Sequence, residues 1–226
     1  MKNNLLIFGI GETAQTVFNY IIESKIFNLM GFVANTKYIT DKEINGYPIL
    51  PFESIEKYIN PIDYSIIIAI SYTGLNSVRE KIYNETKTKG FNIATFISDK
   101  SYVSKTALIK EGVFIYDNVS INHNCIINEN TVICSGTVIS HSCIIGKNVY
   151  ISAKCGIGGF TQIGNNNFIG IGCTIIDKIK TTDNVILSAA SVLSTHANNP
   201  NIYKGFPAKD SGVNSKIFLE INGEIS

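Results

Sequence analysis

His123, His141 and His196 are the three residues of this 226-residue chain whose rings can exchange a proton near neutral pH. His123 and His141 lie 18 residues apart, and each follows an isoleucine, Ile121 or Ile139, by two positions. If the chain coils with 18 residues per turn, the two imidazoles stack on one corner at roughly the 4.8 Å spacing of adjacent strands and project outward. A proton-transfer site is the chemistry such a pair could supply. Surface histidines placed by chance are the competing account. A metal site is not expected, because the pair lacks a convincing third ligand. His196 falls in the polar segment 194–199 and reads as a loop residue.

The ruler that stacks these histidines is a repeat of six. Every sixth residue from Val103 to Leu193 is Val, Ile or Leu, with Thr181 as the sole exception. A helix of 3.6 residues per turn cannot keep that register. Six residues make one short strand and a corner, and three such units close a triangular coil with an aliphatic side chain pointing inward from each face. Two positions before each inward residue the corner needs something small, and the chain supplies Ala107, Val113, Val119, Thr131, Thr137, Val149 and Thr161 there. Cys125, Cys143, Cys155 and Cys173 take the same position, so four of the five cysteines read as buried packing residues rather than catalytic thiols or disulfide partners. Gly146, Gly158, Gly164 and Gly170 directly follow inward isoleucines, where a tight turn is expected to demand positive φ.

Residues 1–100 have a different period. Apolar strands at 5–8, 29–33 and 64–70 alternate with amphipathic helices expected over 13–24 and 77–89, and residues 92–97 read as a closing strand. The fold class is therefore an α/β, Rossmann-like N-terminal domain followed by an all-β parallel helix of hexapeptide repeats, with the boundary placed near Ser101. Spacing does not fix the hand of the coil.

Nineteen basic against 18 acidic residues leave no global field to recruit nucleic acid or an anionic membrane, and no apolar run reaches the roughly 18 residues of a membrane span. A cytoplasmic protein is expected, since the start reads as a buried strand rather than a signal peptide.

With these residues in view, the chain resembles the bacterial nucleotide-sugar acyltransferases of the NeuD/PglD type. The resemblance is carried by IFGIGETAQTV at 7–17, GFV at 31–33, GYPILPFESI at 46–55, the segment 66–98, SGTVISHSCIIGKNVYISAKCGIGGFTQIG at 135–164 and GFPAK at 205–209. It implies a left-handed β-helix, a homotrimer and acetyl-CoA as the co-substrate. The implied activity is N-acetylation of a nucleotide-linked amino sugar of the 4-amino-4,6-dideoxyhexose type, in the synthesis of a surface polysaccharide or glycan. It also implies His141 as general base in direct transfer, without a covalent enzyme intermediate.

The resemblance carries the remaining site residues. Gly158, Gly159, Gly170, Gly172, Ser188 and Ala189 would line the coenzyme A groove, with Gly205, Pro207, Ala208 and Lys209 closing over its nucleotide end and residues 216–221 covering the last coil. Gly9, Gly11, Glu12, Thr13, Asn35, Lys37 and Ser71 would take the nucleotide sugar, the glycine turn offering its N–H groups to a pyrophosphate. Two departures from the family pattern stand out. Ser142 follows the histidine where many relatives carry Glu or Asp, so His123, Ser142 or Glu129 is left to orient the base, and Ala34-Asn35 replaces an acidic pair. Sugar or sialic acid O-acetylation would use the same base and donor. A β-helix serving only as a binding or assembly module is the reading from another class.

Overall fold

The computed structural model describes residues 4–205. The N-terminal domain is a six-stranded sheet made of β1 (Asn4–Phe8), β2 (Asn28–Ala34), β3 (Glu43–Ile44), β4 (Tyr47–Pro51), β5 (Tyr64–Ile68) and β6 (Asn92–Ile93). Their spatial order is β3-β4-β2-β1-β5-β6. All neighbours are parallel except the β3–β4 hairpin. That hairpin turns on Asn45-Gly46 with φ of 52° and 77°, the left-handed pair that a tight two-residue connection requires. The central strand β1 is buried from Leu5 to Phe8, as a parallel strand covered on both faces must be.

Helix α1 (Glu12–Ser24) presses Ala14, Val17 and Ile21 onto one face of the sheet, and α2 (Ser77–Thr88) presses Ile82 onto the other. The expected closing strand divides in two. Asn92–Ile93 pairs with β5, whereas Phe96–Ile97 pairs with Phe114–Ile115 and is the first rung of the second fold. Ala94 and Thr95 turn the chain between the two layers, which continuous apolar character had disguised.

From Phe96 onward the chain winds into a three-faced parallel β-helix. Its first face stacks Phe96–Ile97, Phe114–Ile115, Val132–Ile133, Tyr150–Ile151 and their successors. The second face stacks Tyr102–Val103, Ser120–Ile121, Val138–Ile139, Gly156–Ile157 and onward, and the third runs from Leu108–Ile109 to Gln162–Ile163. Isoleucines 115, 121, 127, 133, 139, 145, 151 and 169 are sealed completely inside, as are Cys125, Cys143 and Cys173, with Cys155 nearly so. Each buried isoleucine stabilises the coil by about 1.5–3 kcal/mol. The remaining cysteine, Cys134, points outward against the Tyr150 hydroxyl at 3.6 Å.

The corner glycines require correction. Positive φ recurs every sixth residue at Gly112, Asn118, Asn124, Asn130, Gly136, Ser142 and onward to Ala190, three positions after the inward residue rather than one. Gly146, Gly158, Gly164 and Gly170 are not in that region. A Cβ on any of them would come within 2.5–2.6 Å of backbone in the next coil. Close approach of successive coils, not backbone twist, excludes a side chain there. At the exception, Thr181 stays inward and accepts hydrogen bonds from the Gly164 N–H at 3.0 Å and the Asn167 amide at 2.5 Å. The last coil is cut short, since Thr181 pairs with Ala197 and Leu187 with Tyr203, only 16 residues on.

The N-terminal domain lies across the first face. Tyr20 of α1 packs edge-on to Phe96, Phe114 and Tyr116, so the two folds share one core. Beside it Arg79 of α2 is buried, donating to the carbonyls of Ile68, Ile70 and Gly112 and, at 3.0 Å, of Asn130. Burial pushes its guanidinium down to about 10, so it remains charged at neutral pH. No helix among the described residues is long and apolar enough to cross a membrane.

Candidate functional site

The 18-residue ruler puts His123, His141, Gly159 and Asp177 in one column on the edge between the second and third faces. The His123 and His141 rings are nearly parallel, 9° apart, with centroids separated by 5.1 Å. His123 is exposed and His141 half-buried. His141 leans over Gly159 so closely that a Cβ there would stand 3.0 Å from Cε1 and 3.1 Å from Nε2. On the far side of Gly159, Asp177 accepts the Gly159 N–H through Oδ1 at 2.5 Å. Phe160 completes the surround, perpendicular to the His141 ring at 4.9 Å. No side chain hydrogen-bonds either imidazole among the described residues, so packing alone orients the His141 ring.

Ser142 occupies the left-handed corner at φ 58°, its N–H donating to the His123 carbonyl at 2.9 Å. Glu129 is not near the histidines. It follows Ile127 on the edge between the third and first faces and meets Lys147 at 3.6 Å. The carboxylate that does share the histidine column is Asp177, which the sequence reading missed. Two further coils on the same ruler reach it, but the glycine between interrupts the visible run.

The residues expected to hold coenzyme A divide between two edges. Gly158 and Gly159 lie on the histidine edge. Gly170, Gly172, Ser188 and Ala189 lie on the edge between the first and second faces, joined by Gly205, whose N–H donates to Ser191 Oγ at 2.7 Å. Gly158 and Gly170 are closed off by the backbone of the next coil, whereas Gly172 is open to solvent at φ 69°. Pro207, Ala208 and Lys209, with the expected cap at 216–221, lie outside the described residues. His196 is a loop residue in the shortened last coil, accepting the Lys180 N–H on Nδ1 at 3.1 Å.

A second concavity opens at the C-terminal ends of β1, β2 and β5, where the chain leaves the neighbouring strands β1 and β5 toward opposite edges of the sheet. Such a switch point is where open parallel sheets take ligands. Its volume is about 390 Å³, and Gly9, Gly11, Asn35 and Lys37 line it together. Tyr38, Val78 and Lys81 also line it and were not anticipated; Lys81 was hidden because only the packing of α2 brings it to the strand ends. Glu12 and Thr13 face elsewhere. They border a separate cleft of about 400 Å³ with Tyr116, Ser135 and Ala153 of the β-helix, so Glu12 does not confront an anion in the first cavity. Ser71 lines neither, and its hydroxyl meets Thr73 at 3.4 Å. No group of three His, Cys, Asp or Glu side chains that could hold a metal ion occurs among the described residues.

Residues 1–86 match the family model described as C2185-like, N-terminal, and residues 106–141 match that of the bacterial transferase hexapeptide (six repeats). No curated protein matches the chain. Among solved structures, the acetyltransferase domain of PglB from Neisseria gonorrhoeae is 20% identical, with a TM-score of 0.80 over 92% of this chain and 99% of that one. It has also been solved in complex with acetyl coenzyme A. PerB from Caulobacter crescentus, in complex with CoA and GDP-perosamine, is 22% identical, with a TM-score of 0.78 over 91% of this chain and 96% of that one. The chain is thus a hexapeptide-repeat protein with the architecture of these solved acetyltransferases, an α/β domain followed by a left-handed parallel β-helix.

Proposed function

We propose that the protein transfers an acetyl group from acetyl-CoA to the amino group of a nucleotide-linked amino sugar, with His141 as general base. The observation that carries this reading is a half-buried imidazole whose ring nitrogens meet no side-chain partner among the described residues, packed against Gly159 on the edge of a hexapeptide helix. The same chain offers a crevice with two lysines, Lys37 and Lys81, at the switch point of a parallel sheet. Acetyl coenzyme A bound to the PglB domain and GDP-perosamine bound to PerB are in keeping with the two halves of such a reaction.

In the proposed step the acceptor nitrogen attacks the thioester carbonyl, the C–N bond forms, the C–S bond breaks and coenzyme A leaves as the thiol. His141 takes the proton lost by the nitrogen and its imidazolium delivers one to the departing sulfur, while the transition-state oxyanion requires a donor such as a backbone N–H. No covalent enzyme intermediate is needed. In this reading Gly159, Gly172, Ser188, Ala189 and Gly205 would border the donor, and Gly9, Gly11, Asn35 and Lys37 the nucleotide.

A homotrimer fits this arrangement better than a single chain. The N-terminal domain covers the first face, and the histidine edge lies opposite it, between the second and third. A sugar bound in the crevice would therefore meet His141 of a second copy. Exposed apolar side chains on those two faces, among them Tyr102, Leu108, Val138, Ile144 and Val192, are suited to burial between copies.

Thiol release from acetyl-CoA, measured against UDP-, GDP- and dTDP-linked amino sugars and their hydroxy parents, tests the reading. Saturable release on an amino sugar, lowered roughly a hundredfold or more in His141→Ala, is the expected outcome. Release on hydroxyl acceptors alone would replace it with O-acetylation, and no release at all with a binding module.

A further inference from the structure

We propose that Phe160 is an acceptor-positioning residue: its exposed ring is the wall against which the apolar C–H face of the acceptor sugar lies, turning the nucleophile toward His141. This rests on the acetyltransfer reading above. Among the described residues with positive φ, Phe160 is the only aromatic one. The same corner is occupied elsewhere by Asn, Gly, Ser, Lys or Ala, and an aromatic side chain is poorly suited to φ 59°. Core packing does not explain its presence, because 52% of the residue is exposed. Among the described residues its only aromatic contact is with the imidazole of His141, and its N–H donates to the His141 carbonyl at 3.0 Å, so the two residues are held as one unit.

Gly159 carries no side chain, so the His141 ring leans over it, and Phe160 stands perpendicular beside that ring. A pyranose has an apolar face of axial C–H groups that packs on aromatic rings, and polar substituents around its rim. Laid on Phe160, such a ring directs a rim substituent toward the imidazole beside it. Neither the stacked His123 nor Asp177 offers an apolar surface for this purpose.

The test compares Phe160→Asn, which keeps a residue at ease in the left-handed corner, with Phe160→Tyr, which keeps the ring. Initial rates are measured with acetyl-CoA and the amino-sugar nucleotide that the wild type uses, alongside thermal unfolding. The expected result for Phe160→Asn is a rise of about tenfold or more in the acceptor KM, with the acetyl-CoA KM unchanged and the unfolding temperature held or raised. Phe160→Tyr is expected to stay within about twofold of wild type. An unchanged acceptor KM in Phe160→Asn overturns the proposal, as does an equal loss in Phe160→Tyr or a parallel rise in the acetyl-CoA KM. Absence of transfer by the wild type on every acceptor overturns the acetyltransfer reading itself, and the role of Phe160 with it.

Discussion

An imidazole aimed by packing is only as well oriented as the space around it permits, and at His141, the proposed base, that space is the missing side chain of Gly159. Gly159→Ala would put a methyl group 3.0–3.1 Å from Cε1 and Nε2, tighter than most real contacts, so the imidazole must give way by a few tenths of an ångström. Gly159 is not in the positive-φ region, so the substitution carries little backbone strain. We expect turnover to fall about tenfold to a hundredfold, as when a catalytic group is displaced by an ångström or less, with little change in unfolding temperature. Steady-state rates and a melting curve on the same preparation check both halves. The histidine pair was legible in the sequence because two coils of 18 residues are easily counted. Asp177 was not, because its link to the column passes through the backbone N–H of a glycine rather than through a side chain with chemistry of its own.

The coils constrain glycine for a reason that spacing could not distinguish. Gly164 lies 2.5 Å, measured from a built Cβ, from both the carbonyl carbon and oxygen of Thr182. Gly164→Ala must spread two coils, and we expect it to destabilise the protein by about 1–3 kcal/mol, the usual cost of overpacking, read as a lowered midpoint in chemical denaturation. A midpoint equal to wild type would mean that the coils separate freely. The inward isoleucines and small corner residues were readable because each answers a local demand of the six-residue unit. The left-handed corners were assigned to the wrong position because Asn, Ser, Lys, Phe and Ala serve there alongside Gly, leaving no single residue type to mark it. The division of residues 92–97 between two sheets was hidden for a similar reason, since both halves are apolar and only pairing tells them apart.

For the whole molecule, the distance between the crevice and the histidine edge is the decisive geometry. The docked domain is fastened by Arg79 and the Tyr20 aromatic cluster, leaving little scope for the crevice to swing around to its own His141. We expect two inactive variants to restore each other: His141→Ala, with an intact crevice, and Lys37→Glu/Lys81→Glu, with an intact base. Co-expressed and purified as mixed oligomers, they should regain up to roughly a quarter of wild-type activity, the share of random junctions that unite both intact parts in a cyclic assembly. Activity no greater than that of the separate variants would mean that each chain completes its own site.

The hexad count between the two folds also sets an angle. Each hexad advances the chain by one face, so residues 97 to 139 carry it from the docked face to the strand before His141 in seven steps. Removing or adding three hexads would move His141 along the helix axis and leave its bearing unchanged. Removing one would swing it a third of a turn, to a different edge of the prism, without altering any residue near it. In this architecture the direction in which the His141 ring faces is a matter of divisibility by three.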